Sequence, residues 1–237
     1  MIAAAILAGG KGTRMGSDLP KQFLRLRGEP ILVHTVRQFA ACPAVEAMVV
    51  CVPEDYLDFT RALLDEVPAL RGRVDVIAGG ADRTASLANA CVFFTARAGK
   101  GGLSPDDILI THDAVRPFVT QAMILDGVAA ARQYGGATAA VACVDTICVS
   151  ANGEIIDSVP DRAMLYSVQT PQTFRMKDFC ELLDSLTEEE KRRVTDASAV
   201  LRLRGKTVAL FPGSPANIKI THPHDIAFAE QILPSEN

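Results

Sequence analysis

Apolar positions fall along the chain in two alternating rhythms. Mostly apolar runs over residues 3–8, 47–52, 74–78, 108–111 and 137–144 read as buried strands, because a strand covered on both faces loses the in-out alternation of a half-exposed one. Between them the spacing lengthens to a helical period. After Pro30, the residues Leu32, Val36, Phe39 and Ala40 share one stripe, and Leu87, Cys91 and Phe94 form a second. Further helices are predicted over 56–67 and 121–133. Strands and helices taken in turn imply βαβ units, hence an α/β fold of three layers around a mainly parallel sheet.

The rhythm then breaks. Two short β runs, 146–149 and 154–159, flank Ser150-Ala151-Asn152-Gly153, and Asn-Gly between β runs is a strong hairpin signal. The prediction is a projecting β-hairpin arm, about residues 145–165, that pairs with a second copy in a homodimer, since an isolated hairpin leaves open edges. Beyond it lie a helix over 177–186, a capping box at Thr187 and Glu190, and a helix opened by Thr195-Asp196. Strands over 207–211 and 217–221 and a last helix over 223–233 follow. Residues 1–237 read as a single domain without linker or repeat.

Charge and composition narrow the function. The 237 residues carry 24 Lys plus Arg against 28 Asp plus Glu, a net charge of −4, so a clustered basic surface for nucleic acid is not expected. Apolar residues at 49 % support a sizeable core, yet no run approaches the roughly 20 residues of a membrane span. The six cysteines include no C-x-x-C pair and no export signal precedes them, which points to free thiols and a cytoplasmic protein.

The chemistry concentrates after the first strand, at Leu7-Ala8-Gly9-Gly10-Lys11-Gly12-Thr13-Arg14, followed by Pro20-Lys21. Glycines let the main chain approach a ligand, and successive N–H groups form an anion-binding nest. Lys11, Arg14 and Lys21 add the converging cations that triphosphate chemistry requires. The loop lacks the Gly-Lys-Ser/Thr of a Walker A motif and the third glycine of a dinucleotide fingerprint.

This loop resembles the signature of nucleotidyltransferases that activate sugar or polyol phosphates. Residues 79–86 (GGADRTAS), 111–118 (THDAVRPF), 169–174 (QTPQTF) and 217–221 (NIKIT) are similar to its cytidylyltransferase branch, end to end. The resemblance implies a Rossmann-like nucleotidyltransferase fold and CTP as substrate. Leu7, Ala8, Gly9, Gly10, Lys11 and Gly12 would lie against the nucleotide, with Asp82, Arg83 and Ser86 around base and ribose. Arg14 and Lys21 would be catalytic, stabilising the α-phosphorus as the acceptor phosphate attacks. Asp113 would hold Mg²⁺ on the triphosphate. Arg116, Thr146, Arg162, Thr170 and Lys219 would bind the acceptor, Arg162 in the neighbouring subunit's site. Asp113-Ala114-Val115-Arg116 is similar to enzymes that make CDP-ribitol, with CDP-methylerythritol synthesis as the alternative. A nucleotide-binding regulator that has lost catalysis is the rival of another class, and intact Arg14, Lys21 and Asp113 speak against it.

Blander roles stand beside these. Asp113 could cap a following helix, and His112 could orient its strand end through a hydrogen bond. His222-Pro223-His224 reads as helix-start packing rather than a metal pair, and residues 188–193 (EEEKRR) as a solvated helix with internal ion pairs.

Overall fold

The structure is a computed structural model, and it describes residues 1–10 and 19–233. A seven-stranded sheet runs through these residues, with β1 (Ile2–Leu7), β4 (Ala47–Val52), β5 (Asp75–Ala78), β6 (Ile108–Asp113), β7 (Gly136–Ala142), β8 (Tyr166–Arg175) and β9 (Ala209–Pro212) in the spatial order β5-β4-β1-β6-β8-β7-β9. Two small strands, β2 (Arg25–Leu26) and β3 (Glu29–Pro30), form a separate hairpin. Its turn residues Arg27 and Gly28 both have positive φ, 48° and 81°, the geometry of a tight hairpin turn. The sheet is parallel except for β8, which runs antiparallel to both β6 and β7.

Side-chain alternation on β1 builds the three layers. Ile2, Ala4 and Ile6 meet α1 (Ile31–Ala40) and α4 (Gln121–Tyr134) through Leu32, Val36, Phe39, Met123 and Ile124. Ala3 and Ala5 face the opposite way. They pack with Leu87, Ala90 and Phe94 of α3 (Arg83–Arg97) and Phe179 of α5 (Met176–Asp184). Small alanines on β1 let two helical layers close on the same strand, the dense packing on which a core's stability depends.

Most predicted elements stand close to their expected bounds. α2 (Leu57–Asp65), α6 (Glu188–Arg193), α7 (Ala197–Leu203) and α8 (Pro223–Ile232) occupy predicted helices. Thr187 and Glu190 form the predicted capping box, and Asp196 caps α7 by accepting from the Ala199 N–H.

Three expectations need correction. The predicted arm is an exposed excursion, but its two β runs meet at a single antiparallel bridge, Val149 to Ser158, rather than in a ladder. Asn152 explains this locally: its side-chain oxygen accepts from the N–H groups of Glu154 and Ile155, and Ser150 Oγ accepts from Gly153 N–H, so the tip folds on itself. Residues 217–221 are not a strand. They are held as an irregular segment by hydrogen bonds that include Ile220 N–H to Val115 O at 2.9 Å.

The third correction is β8, a ten-residue central strand that the periodicity did not announce. Gln169, Thr170, Gln172 and Thr173 interrupt its apolar pattern, and Pro171, after a cis peptide bond, removes a ladder donor. All four polar residues are nevertheless buried. The β7–β8 register shifts between Thr138 and Ala140, opposite this proline, and the β6 pairing ends at Thr111 with Gln172. The last residues of β6, His112 and Asp113, thereby leave β8 while still pairing with Ile6 and Leu7 of β1.

Candidate active site

Winding outward from β1 to β4 and β5, the chain then returns to place β6 on the other side of β1. Such a switch point opens a crevice beyond the carboxyl ends of the strands. A cleft of about 560 Å³ lies there, lined by Leu7, Gly9, Gly10, Lys21, Pro53, Gly80, Ala81, Asp82, Arg83, Ser86, Asp113, Val115 and Lys219.

One wall is made chiefly of backbone. The Ala8 N–H donates to Cys51 O at 2.8 Å, and the buried Gln22 amide donates to Ala8 O at 2.5 Å, so both main-chain polar groups of Ala8 are fixed before Gly9. Opposite, the Gly79 N–H donates to Val52 O at 2.7 Å and the Gly80 N–H to Ser86 Oγ at 3.0 Å. Ser86 Oγ in turn donates to Asp82 O at 2.8 Å, while the Asp82 carboxylate caps α3 by accepting from Ala85 N–H at 2.7 Å. Gly80 is required by this close approach, since a Cβ there would collide with Ala85.

The other wall is ionic. Asp113, the last residue of β6, is buried and faces three cations: Lys219 Nζ at 2.9 Å, and the Nε atoms of Arg83 and Arg116 at 3.6 Å each. Burial by itself would raise its pKa, but Lys219, Arg83 and Arg116 outweigh burial and hold the carboxyl well below the usual carboxylate range. Burial also depresses the Arg116 guanidinium, against the pull of Asp113. Two guanidinium nitrogens here, Arg83 Nη1 and Arg116 Nε, are buried without a hydrogen-bond partner. Unmatched buried donors are costly, and phosphate oxygens entering the cleft could accept from them.

His112 has the blander role. Its Nε2 lies 3.0 Å from Arg116 O, and burial lowers its pKa to about 4, so the ring is neutral near pH 7. Asp113 does not act as a helix cap, because its carboxylate is turned to the cations and residues 114–118 form turns. His222 starts α8, its N–H donating to the Asp225 carboxylate at 2.8 Å. No group of three or more His, Cys, Asp or Glu among the described residues could hold a metal by itself.

Of the residues singled out from the sequence, Leu7, Gly9, Gly10, Lys21, Asp82, Arg83, Ser86, Asp113 and Lys219 converge on the cleft. Ala8 lies behind it, Arg116 flanks Asp113, and Thr170 Oγ1 accepts from the Asp113 N–H at 3.1 Å. Lys11, Gly12 and Arg14 lie outside the described residues. Thr146 and Arg162 are not brought to this cleft within one chain. Both are exposed on the arm, and Arg162 donates to Val144 O at 3.0 Å.

Over residues 2–235 the chain matches the family described as IspD, 2-C-methyl-D-erythritol 4-phosphate cytidylyltransferase. The chain belongs to this family. It is accordingly a cytidylyltransferase, an enzyme that takes CTP as nucleotidyl donor. It is 44 % identical over 235 residues to the ribitol-5-phosphate cytidylyltransferase of Streptococcus pneumoniae strain D39, an alignment covering 98 % of this chain and 99 % of that one. Among solved structures it is similar to the Francisella tularensis 2-C-methyl-D-erythritol 4-phosphate cytidylyltransferase, with a TM-score of 0.79, 25 % identity, and coverage of 98 % of this chain and 99 % of that chain. The corresponding Thermus thermophilus enzyme gives a TM-score of 0.71 at 26 % identity, with 98 % of each chain covered. These likenesses bear out the predicted α/β nucleotidyltransferase fold and the reading as a CTP-dependent enzyme.

Four features of the site escaped the sequence reading as site residues: Pro53, Gly80, Ala81 and Val115 line the cleft. Gly80, Ala81 and Val115 stood inside quoted motifs, so a signal existed. Pro53 carried none, because only the end of β4 brings it there.

Proposed function

We propose that this enzyme transfers a cytidylyl group from CTP to D-ribitol 5-phosphate, giving CDP-ribitol and diphosphate, as a precursor for a polyol-phosphate polymer such as teichoic acid. One observation carries the choice of acceptor: 44 % identity, nearly end to end, with a ribitol-5-phosphate cytidylyltransferase, against 25 and 26 % for the methylerythritol phosphate enzymes of Francisella tularensis and Thermus thermophilus. The family description itself favours 2-C-methyl-D-erythritol 4-phosphate as the second reading.

In this reading the triphosphate lies over Gly9 and Gly10, with the base and ribose toward Asp82, Arg83 and Ser86. An oxygen of the acceptor phosphate attacks the α-phosphorus, a P–O bond forms, and the bond to the β-phosphate oxygen breaks to release diphosphate. Lys21, with Arg14, stabilises charge that builds on the α-phosphate oxygens. Lys219, Arg116 and Thr170 receive the acceptor phosphate. The cations around Asp113 reduce repulsion between two anionic substrates, without which they could not be held in an in-line geometry.

Magnesium fits this cleft as an ion shared with substrate. Asp113 would give it one hard carboxylate on the cleft wall by exchanging part of its pairing with Lys219, Arg83 and Arg116, and Mg²⁺ commonly takes one or two protein carboxylates with phosphate oxygens and water supplying the rest. Bound there, it would neutralise charge on the triphosphate.

The homodimer is part of the proposal. Val144, Ile155, Ile156, Val159 and Met164 stand 55–81 % exposed on the arm, an apolar surface suited to covering by a second copy. Such a copy would let Arg162 exchange Val144 O for a neighbour's acceptor phosphate. Six free cysteines support a reducing, cytoplasmic setting.

Diphosphate release with CTP and Mg²⁺, measured in parallel with the two acceptors, tests this reading. Faster turnover with ribitol 5-phosphate is expected. Faster turnover with the methylerythritol phosphate would transfer the enzyme to the second reading.

A further inference from the structure

Lys219 sits on an irregular segment, and long lysine side chains on such segments are ordinarily mobile. Here the segment is bolted to β8 by buried amides. Gln169 Oε1 accepts from the Ser214 N–H at 3.2 Å and from Asn217 Nδ2 at 3.1 Å, and Gln169 Nε2 donates to Ser214 O at 2.9 Å. Asn217 Nδ2 donates also to Thr170 O at 2.8 Å. Gly213 permits the approach, since a Cβ there would stand 2.7 Å from Gln169 Oε1.

The same asparagine reaches the cations. Its backbone carbonyl accepts from Arg116 Nη1 at 2.7 Å, and Lys219 follows two residues on. Gln169 and Asn217 are 7 % and 0 % exposed, and neither lines the cleft. Their bonds span 45 to 48 residues of sequence, so they do little for local secondary structure and much for the placing of one segment against another.

We propose that Gln169 and Asn217 are positioning residues for the transfer reaction, locking Arg116 and Lys219 at the spacing that receives the acceptor phosphate. This rests on the acceptor-side reading above. Substrate touches neither residue; each acts through the cations it fixes. Selectivity of effect follows from position, because among the described residues the nucleotide wall at Gly9, Gly10, Gly80 and Ser86 shares no hydrogen bond with this lock, and the two sides meet through the Arg83–Asp113 pair, at 3.6 Å.

The test uses Gln169→Met, which keeps side-chain length while removing the hydrogen bonds, and Asn217→Ser as a second, smaller disturbance. Both acceptors are assayed from the outset. Whichever one the unaltered enzyme turns over supplies the reading, so a wrong acceptor assignment is seen in the unaltered enzyme and not in the variants. The acceptor KM should rise about tenfold or more while the KM for CTP stays within about twofold. Combining Gln169→Met with Lys219→Ala should add less than about threefold to the loss caused by Lys219→Ala alone, since residues acting through one another are not additive. Equal rises in both KM values, full additivity with Lys219→Ala, or unchanged kinetics in folded variants would each overturn the proposal. If Gln169→Met does not fold, Asn217→Ser is judged by the same KM split and by its own double variant with Lys219→Ala.

Discussion

The two walls of the cleft are built on different principles. The wall formed by the ends of β1, β4 and β5 is backbone held by backbone: Ala8 to Cys51, Gly79 to Val52, and a capped α3 beside them. The wall formed by β6, β8 and residues 213–221 is held by side chains, with buried amides binding each other and the neighbouring main chain and fixing cations around Asp113. A main-chain wall suits the part of a substrate that is always a nucleotide, because peptide N–H groups are rigid, cheap to order and indifferent to small side-chain changes. A side-chain wall can be retuned residue by residue, and in the proposed function it faces the acceptor, the substrate that differs within the family.

Removing the Lys21 charge beside Gly10 should have the largest effect. Lys21→Ala is expected to lower kcat by about 10²- to 10³-fold with a much smaller change in CTP affinity, since a positioned charge matters most in the transition state. Steady-state kinetics with a CTP titration measure both. A loss confined to CTP binding would make Lys21 a binding group only.

Next comes the side-chain wall. Asp113→Asn leaves three cations without their counter-charge and should cost about 2 kcal/mol of folding stability at pH 7, less than a fully enclosed pair because Lys219 is partly exposed and can be solvated. The folded pKa of Asp113 is depressed, so its contribution is present above the ordinary carboxylate value of about 4 and is lost as pH falls below it. Urea unfolding should therefore show the difference between variant and unaltered protein shrinking as pH drops from 5 toward 3. His112 behaves differently. Its pKa is lowered to about 4 by burial, so stability falls as pH drops from about 6.5 to 4, and because the Asp113 charge opposes that lowering, the fall is larger in Asp113→Asn than in the unaltered protein.

The smallest effect belongs to the main-chain wall. Gly80→Ala forces Ala85 and the start of α3 to shift, which should raise the KM for CTP about tenfold and leave the acceptor KM within about twofold. It is the mirror image of the loss expected at Gln169. A rise in both constants would mean that the walls are mechanically coupled.

The same contrast explains what could be read from the sequence. β1, β4, β6, α1 and α3 declare themselves by apolar period, and Gly9, Gly10, Asp82 and Ser86 stand in short motifs whose members touch one another locally. β8 does not declare itself. Gln169, Thr170, Gln172 and Thr173 look like a polar loop until their partners are known, and those partners lie far along the chain: Asn217 for Gln169, Asp196 and the Ala197 N–H for Gln172. Periodicity carries no record of such pairs. Likewise the β runs at 146–149 and 154–159 have the composition of a hairpin, but the bonds of Asn152 to its own neighbours leave one bridge where a ladder was predicted. Thr146 and Arg162, the acceptor residues proposed on that arm, are legible only by resemblance, because among the described residues no hydrogen bond or ion pair draws them to Asp113.

A crystal structure with CTP bound tests the central claim most directly, that the nucleotide is held by the main-chain wall at the switch point of the sheet. The triphosphate should lie over Gly9 and Gly10 within reach of Lys21, with cytosine on the side of Gly80 and Ser86. A nucleotide seated away from the ends of β1 and β4, or with its phosphates toward α3 and its base over Asp113, would contradict the account.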